Sequence, residues 1–232
     1  MRHEILFKPS FAMARFDLDP GESIVTEAGS MVAMSTNMGI NTSIGGTGLG
    51  FFAKIGAFFI ALIRKFLGGE SMFFNTYAPE GGAGELYVAP AMVGDLVNMQ
   101  VTEGASIIIQ PGSFVASTSG VRLKTRWGGL TSIFGGEGAF LLEARGTGEI
   151  WINAYGGIRE VQVAGSFICD TGHMVAFDES LGYKLRLAGG GMMTAFKSGE
   201  GLIFEFSGTG KLLLQSRNLG SLVSWITPHL PS

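Results

Sequence analysis

The sequence predicts an all-β protein made of three related units, and two repeated phrases carry the prediction. Residues 25–34 read VTEAGSMVAM, 108–117 read IIQPGSFVAS and 168–177 read ICDTGHMVAF. A Gly-Glu phrase follows each of them, at Glu70, Glu137 and Glu200. Internal repetition at this spacing indicates a structural unit used three times. Between the phrases lie short apolar runs bounded by glycine, which is typical of strands joined by tight turns.

Several runs have the length and composition of single strands. They are rich in β-branched and aromatic residues, and they span 85–89, 106–110, 139–143, 149–153, 183–187, 202–206 and 211–215. Residues 121–127 alternate apolar and polar side chains, which predicts a strand with one solvated face.

The repeats span roughly 1–100, 101–163 and 164–232, and no charged or proline-rich linker separates them. Each unit alone would leave strand edges and an apolar face exposed. We therefore expect one β domain over 1–232, as a sandwich, barrel or prism-like stack of short antiparallel strands.

Composition narrows the function classes. Charged residues make up 15% of the 232 residues and hydrophobic residues 46%, so we expect much of the surface to be covered by other subunits or by a membrane. The net charge of −3 argues against a general nucleic-acid binder. A single cysteine, Cys169, permits no intramolecular disulfide, and we read no signal peptide at the N-terminus. We expect a cytoplasmic protein.

The first repeat contains an apolar insertion at about 50–68. Bounded by glycines and free of proline, it is predicted to be an amphipathic helix. Its broad apolar face is formed by Phe52, Ile55, Phe59, Leu62, Ile63 and Phe66. Its narrow opposite face carries the cations Lys54, Arg64 and Lys65. The cations argue against a membrane span. Three partners for its apolar face remain open: a membrane surface, another subunit and the protein's own core.

The phrase Glu-x-Gly-Ser-Met-Val-Ala-Met, the Gly-Glu phrases and the apolar insertion together resemble the altered-inheritance-of-mitochondria family of uncharacterised proteins. The resemblance covers nearly the whole chain, from His3 to Arg217. It implies a fold like that of the trp RNA-binding attenuation protein (TRAP-like), repeated in one chain. It implies no established enzymatic activity and no agreed ligand.

Few side chains point to chemistry. We interpret Glu70, Glu137 and Glu200 as structural acids that accept backbone hydrogen bonds, with a shared cation site as the alternative. His3, His173 and His229 are too scattered to form a metal site, and we expect Cys169 to be a buried, unreactive thiol.

A basic stripe occupies the strand at 121–127. Arg122, Lys124 and Arg126 lie on one side of the strand, with Trp127 at its end. Cations beside an aromatic ring are typical of RNA-binding sheets, but charged residues at this spacing usually form a solvated face. We do not expect nucleic acid as a partner, and RNA binding by analogy with the TRAP-like fold is the lowest-ranked alternative function.

From the sequence we therefore expect a non-enzymatic scaffold protein that forms a homo-oligomer. The insertion could attach it peripherally to the inner membrane. The alternative is a module that binds a small molecule or cation at the junction of the repeats, and the ligand is unknown. We expect no catalytic residues, no cofactor and no metal.

Overall fold

A computed structural model describes residues 1–44, 73–127, 140–190 and 202–230 of the chain. These residues form seventeen strands: β1 (Arg2–Leu6), β2 (Met13–Leu18), β3 (Ile24–Glu27), β4 (Met31–Met34), β5 (Met38–Ile44), β6 (Phe73–Pro79), β7 (Gly84–Val88), β8 (Leu96–Val101), β9 (Ile107–Ile109), β10 (Phe114–Thr118), β11 (Val121–Trp127), β12 (Phe140–Gly146), β13 (Gly148–Asn153), β14 (Ile158–Asp170), β15 (Met174–Asp178), β16 (Gly182–Leu187) and β17 (Leu202–Gln215). They also form one α-helix, α1 (Leu219–Ile226), and the 3-10 turns Thr171–His173, Ala188–Gly190 and Thr227–His229. The predicted all-β class is confirmed.

The strands form three antiparallel sheets. The first has the order β1-β2-β7-β4, the second β5-β6-β3-β10-β13-β8, and the third β11-β12-β9-β15-β17-β14, with β16 pairing β17. The second sheet joins strands of the first and second repeats through β3 and β10. The third joins strands of the second and third repeats through β9 and β15.

The repeated phrase forms the same local structure in each copy. It consists of a strand before the turn, the turn, and a strand after the turn. We call β3, β9 and residues 167–170 of β14 the pre-turn strands. We call β4, β10 and β15 the post-turn strands. Each post-turn strand shifts register just after its first residue, leaving Val32, Val115 and Val175 in a β-bulge. The sequence match between the repeats is therefore also a match of strand and bulge positions. The turn differs in the third copy, where Gly172 lies in a 3-10 turn without the positive φ of Gly29 and Gly112.

The third repeat also differs from the other two in its last strand. The predicted strands at 202–206 and 211–215 are one strand, β17, paired with β14 along its length. Gly165 and Gly208 face each other in the middle of this ribbon, and both have positive φ. Glycine accepts this backbone without steric cost, so the ribbon bends without breaking.

The core lies between the sheets and joins the repeats. Trp151 of β13 is fully buried, and its ring meets Phe16 of β2 edge-on at 4.7 Å. The first and second repeats therefore share an apolar cluster. A further cluster contains Val121, Leu142 and Val175 and joins the second and third repeats. Burying side chains of this size stabilises the fold by ~1.5–3 kcal/mol each.

Candidate functional site

The residues singled out in the sequence mostly fall outside the described part of the chain. All nine residues of the predicted insertion helix lie in the segment 45–72, and Glu137 and Glu200 lie in the segments 128–139 and 191–201. Glu70 shares the segment 45–72 with the helix. Their roles stay predictions.

The strands that flank these segments show where each one is attached. Residues 45–72 connect β5 to β6, residues 128–139 connect β11 to β12, and residues 191–201 connect β16 to β17. In the first two cases the connected strands pair with each other up to the segment. In the third they pair up to Leu187 and Leu202, and the 3-10 turn Ala188–Gly190 precedes the segment. The insertion of the first repeat therefore leaves the fold at the position used by the shorter connections of the other two.

The basic stripe lies on β11, whose bounds agree with the predicted strand. Val121 and Leu123 are buried, while Arg122 and Lys124 are exposed. Arg126 contacts the carboxylates of Glu143 and Glu179, with its Nη1 at 3.5 and 3.3 Å from their Oε1 atoms. The alternation is confirmed, and one of the three cations is neutralised by acids.

Arg145 completes this ion cluster. Its Nη2 lies 2.6 Å from Oε1 of the nearly buried Glu143 and 3.2 Å from Oε1 of Glu179. A hydrogen bond from the Ser106 side chain, followed by attraction to Arg145 and Arg126, lowers the pKa of Glu179. The hydrogen bond and charge of Glu143 raise the pKa of Arg145. The cluster joins β11 and β12 of the second repeat to the turn after β15, so it braces the boundary between two repeats.

The histidines near the core have structural contacts. Nδ1 of His173 lies 2.8 Å from the carbonyl oxygen of Gln215. The ring of His3 meets Trp151 edge-on at 4.9 Å. Cys169 is buried, as predicted, and burial followed by the charge of Asp170 raises its pKa to about 12. Because the thiolate is the reactive form, this thiol is a poor nucleophile.

The post-turn strands differ sharply in exposure. Val115 and Val175 are 0% exposed, whereas Val32 at the matching position is 55% exposed. In the described part of the chain, β10 and β15 each have neighbours on both sides, but β4 pairs with β7 alone. The first repeat thus presents an apolar strand with one open edge.

The pre-turn strand of the third repeat shows the complementary difference. Ile168 is 54% exposed, and its counterpart Ile108 in β9 is fully buried. Strand β9 lies between β12 and β15, while β14 has β17 as its sole partner among the described strands. We call β4 the head edge and residues 167–170 the tail edge.

The described outer strands fall into two groups by charge. The head edge contains no charge and no proline, and the tail edge contains one charge, Asp170, whose carboxylate accepts a hydrogen bond from the Gly172 amide at 2.8 Å. The outer strands β1, β11 and β16 each carry at least two charged side chains, whereas the outer strands β5 and β8 carry none. Charged residues are the usual protection of a strand edge against pairing with another chain. The head edge lacks it, as β5 and β8 do, and the tail edge has only Asp170 at its end.

A second apolar surface lies at α1, which the sequence analysis missed. Asn218 caps the helix by accepting a hydrogen bond from the Ser221 amide at 3.3 Å. Leu219, Val223 and Trp225 are all exposed. The pattern was detectable, because an asparagine cap precedes an apolar run that ends before Pro228.

A groove of about 710 Å³ lies between strands of the second and third repeats. Its walls include Asn98 and Gln100 of β8 and the charged residues Glu160, Asp178 and Lys211. Within the described residues, no three histidine, cysteine, aspartate or glutamate side chains are grouped to hold a metal ion. No helix in that part of the chain is long and apolar enough to cross a bilayer.

The fold and its open edges define a repeated all-β protein. A family model described as Mitochondrial biogenesis AIM24 matches residues 3–217, and the chain belongs to this family. An uncharacterised protein of Streptococcus pyogenes serotype M6 is 31% identical over 235 residues, covering 100% of this chain and 92% of that protein. The X-ray crystal structure of a Streptococcus pyogenes protein matches with a TM-score of 0.80 and 27% identity, over 99% of both chains. The predicted family is confirmed.

Proposed function

We propose that this protein is a non-enzymatic scaffold that assembles with copies of itself. The observation that supports it most strongly is the pair of strand edges, at Val32 and Ile168, that are exposed and have no second neighbour among the described strands. A monomer that kept both edges in water would expose unpaired backbone groups beside apolar side chains. Self-association removes both from solvent. The structural contacts of His173 and the buried thiol of Cys169 fit a role without catalysis.

We further propose that the segment at 50–68 attaches the assembly to a membrane surface. The support is its sequence pattern, in which Phe59 and Phe66 fall on the broad apolar face and Lys54 and Arg64 on the opposite one. The basic residues suit anionic lipid headgroups. The exposed apolar side chains of α1 offer a second contact of the same chemistry.

The first test is the mass of the purified full chain, measured by light scattering in buffer and then with anionic liposomes. A mass several times 24.5 kDa is expected for the scaffold. A single-chain mass at every concentration would contradict self-assembly. Flotation with anionic liposomes tests the membrane contact separately.

The variants Phe59→Asp and Phe66→Asp are expected to lose most liposome binding while the β domain stays folded. A charge on the apolar face opposes its burial in lipid. Ala57→Asp is the matched control, since it adds the same charge on the side of the predicted helix that carries Lys54. Equal flotation of Phe59→Asp and the parent chain would remove the membrane contact and leave the scaffold proposal standing.

The groove between the second and third repeats supports a second candidate function, the binding of a small molecule. Its volume of about 710 Å³ is within the range of ligand pockets. A ligand that binds the folded state raises the melting temperature, so a screen of small metabolites by thermal shift tests it. The variant Asn98→Trp, which fills the groove, should abolish any shift; an unchanged shift would place the ligand elsewhere.

A further inference from the structure

From the repeats we infer that copies of this chain join head to tail, the tail edge of one copy pairing antiparallel with the head edge of the next. The occupant of each open edge is thus a second copy of this chain. The inference rests on the proposed self-assembly and specifies which surfaces carry it.

The chain already makes this type of pairing twice within itself. The pre-turn strand β3 pairs antiparallel with the post-turn strand β10 of the next repeat. In the same way, β9 pairs with β15 of the repeat after it. In both cases a pre-turn strand is completed by the post-turn strand of the following unit. The third pre-turn strand, residues 167–170, and the first post-turn strand, β4, have no such partner among the described strands.

The register of the two internal pairings is the same. Ala116 faces Thr26 in one, and Ala176 faces Ile109 in the other. In the aligned phrases these alanines correspond to Ala33, and Thr26 and Ile109 correspond to Cys169. The pairing between copies therefore places Ala33 opposite Cys169. Met34 then faces Ile168, and Ser35 faces Phe167.

The exposure of β4 and of residues 167–170 agrees with this register. Ile108 is buried within its sheet and Ile168 is half exposed. Val115 and Val175 are buried and Val32 is half exposed. Pairing two copies would give Ile168 and Val32 the surroundings that their counterparts already have. The paired positions Ala33, Met34, Ile168 and Cys169 carry no charge of the kind that normally prevents such pairing.

The two edges are different surfaces, so the contact is heterologous. Each copy retains one free head and one free tail until a ring closes or a filament grows. This predicts a complementation that a symmetric contact cannot show. Val32→Lys blocks the head edge and leaves the tail edge intact, while Ile168→Lys does the reverse.

The experiment measures the mass of the full-length variants by light scattering. Each variant alone should fall to the single-chain mass of 24.5 kDa, and an equimolar mixture should give the mass of two chains. Because both side chains are half exposed in the single chain, neither lysine has to be buried on folding. Circular dichroism and the melting temperature verify that each variant folds.

Ile40→Lys is the matched control. Ile40 is 48% exposed on β5, which is also an outer strand. Neither internal pairing between repeats uses the described strand equivalent to β5, so the inferred contact does not involve it. This variant should keep the parent mass. If Ile40→Lys dissociates the assembly while Val32→Lys and Ile168→Lys do not, the scaffold survives and the inferred contact is wrong.

A disulfide test checks the register directly. The double variant Met34→Cys with Ile168→Cys should form intermolecular disulfides under mild oxidation, seen as a ladder on a non-reducing gel. Ser35→Cys with Ile168→Cys is out of register by one residue and should form several-fold less. Met34→Cys alone reports any contribution from the native Cys169.

The outcomes separate the two proposals. A parent chain that is monomeric at all concentrations overturns both self-assembly and this contact. A parent oligomer whose mass is unchanged in Val32→Lys and Ile168→Lys overturns the contact alone. A disulfide formed only within one chain also overturns it, because it means that the chain closes on its own edges.

Discussion

The same sequence phrase is buried in two places of this molecule and exposed in a third. Val115 and Val175 lie in the core, whereas Val32 occupies the matching bulge of β4 and is half exposed. The bulge is present in all three copies, so the difference in exposure comes from the neighbours: β10 and β15 are each paired with a strand of the preceding repeat. The comparison teaches that burial in a repeat protein depends on the position of the unit in the array.

The largest expected effect on stability is the difference between a charge placed at a buried valine and a charge placed at the exposed Val32. Val115→Lys buries an unpaired ammonium and should cost about 3–5 kcal/mol of unfolding free energy. Val32→Lys should change the stability of the single chain by about 0.5 kcal/mol or less, because its side chain already contacts water. Urea unfolding of both variants at a concentration where the chains are separate measures the difference. Equal losses would show that β4 is covered in the single chain.

A medium effect is expected at the turn between the paired strands. Gly29 has a φ of +89° and open space around it, so Gly29→Ala should cost ~1–2 kcal/mol through backbone strain alone. Gly29→Asn should recover part of the loss, since asparagine tolerates this conformation.

The matching glycine of the third repeat, Gly172, should also lose stability when it is replaced by alanine, but for a different physical reason. Gly172 lies in a 3-10 turn, and a β-carbon there would collide with the side-chain amide of Asn218, which caps α1. The loss in Gly172→Ala should therefore shrink when it is combined with Asn218→Gly. Melting temperatures of the four chains of this cycle test it; additive losses would contradict the collision.

The smallest effect is expected at the ion cluster that braces the covered boundary between the second and third repeats. The pKa of Glu179 is lowered in the folded state, first by the Ser106 hydrogen bond and then by the arginines. Its contribution is therefore full above the ordinary glutamate range and is lost as the pH falls through the lowered folded pKa. Water screens this half-exposed carboxylate, so the contribution is about 0.5 kcal/mol at most.

The variant Glu179→Gln tests this. Its stability deficit relative to the parent chain should be present at pH 7 and disappear as the pH falls below the folded pKa of Glu179. Urea titrations at a series of pH values measure the deficit. A deficit that grows on acidification would have the wrong sign and would reject the account.

Much of the fold was predictable because strand formation is a local property. The alternation at 121–127 predicts β11 with the observed bounds, and the run at 149–153 predicts β13 to within one residue. Separate strands at 202–206 and 211–215 were predicted where the chain forms the single strand β17. The glycines between them usually signal a turn, but the pairing of Gly208 with Gly165 keeps the ribbon continuous.

The candidate site was less predictable. The insertion at 50–68 was chosen as a candidate because its apolar pattern is strong. The two edges could not be chosen in this way, because their sequences resemble those of buried strands. Residues 31–34 look like 114–117, and nothing within them tells which copy lacks a neighbour. The ion cluster was not predictable from the sequence either, because Arg126 and Glu179 are distant in sequence and meet only where two repeats pack together.

The sequence by itself determined the repeated unit, the short strands and the family, because side-chain alternation and turn glycines act over a few residues. The tertiary structure alone decided which repeats cover each other. It pairs β3 with β10 and β9 with β15, and it leaves β4 and residues 167–170 without a second partner in the described part of the chain. The physical reason is that a strand edge is satisfied by a neighbour from another repeat, and the first and last units of an open array each lack one.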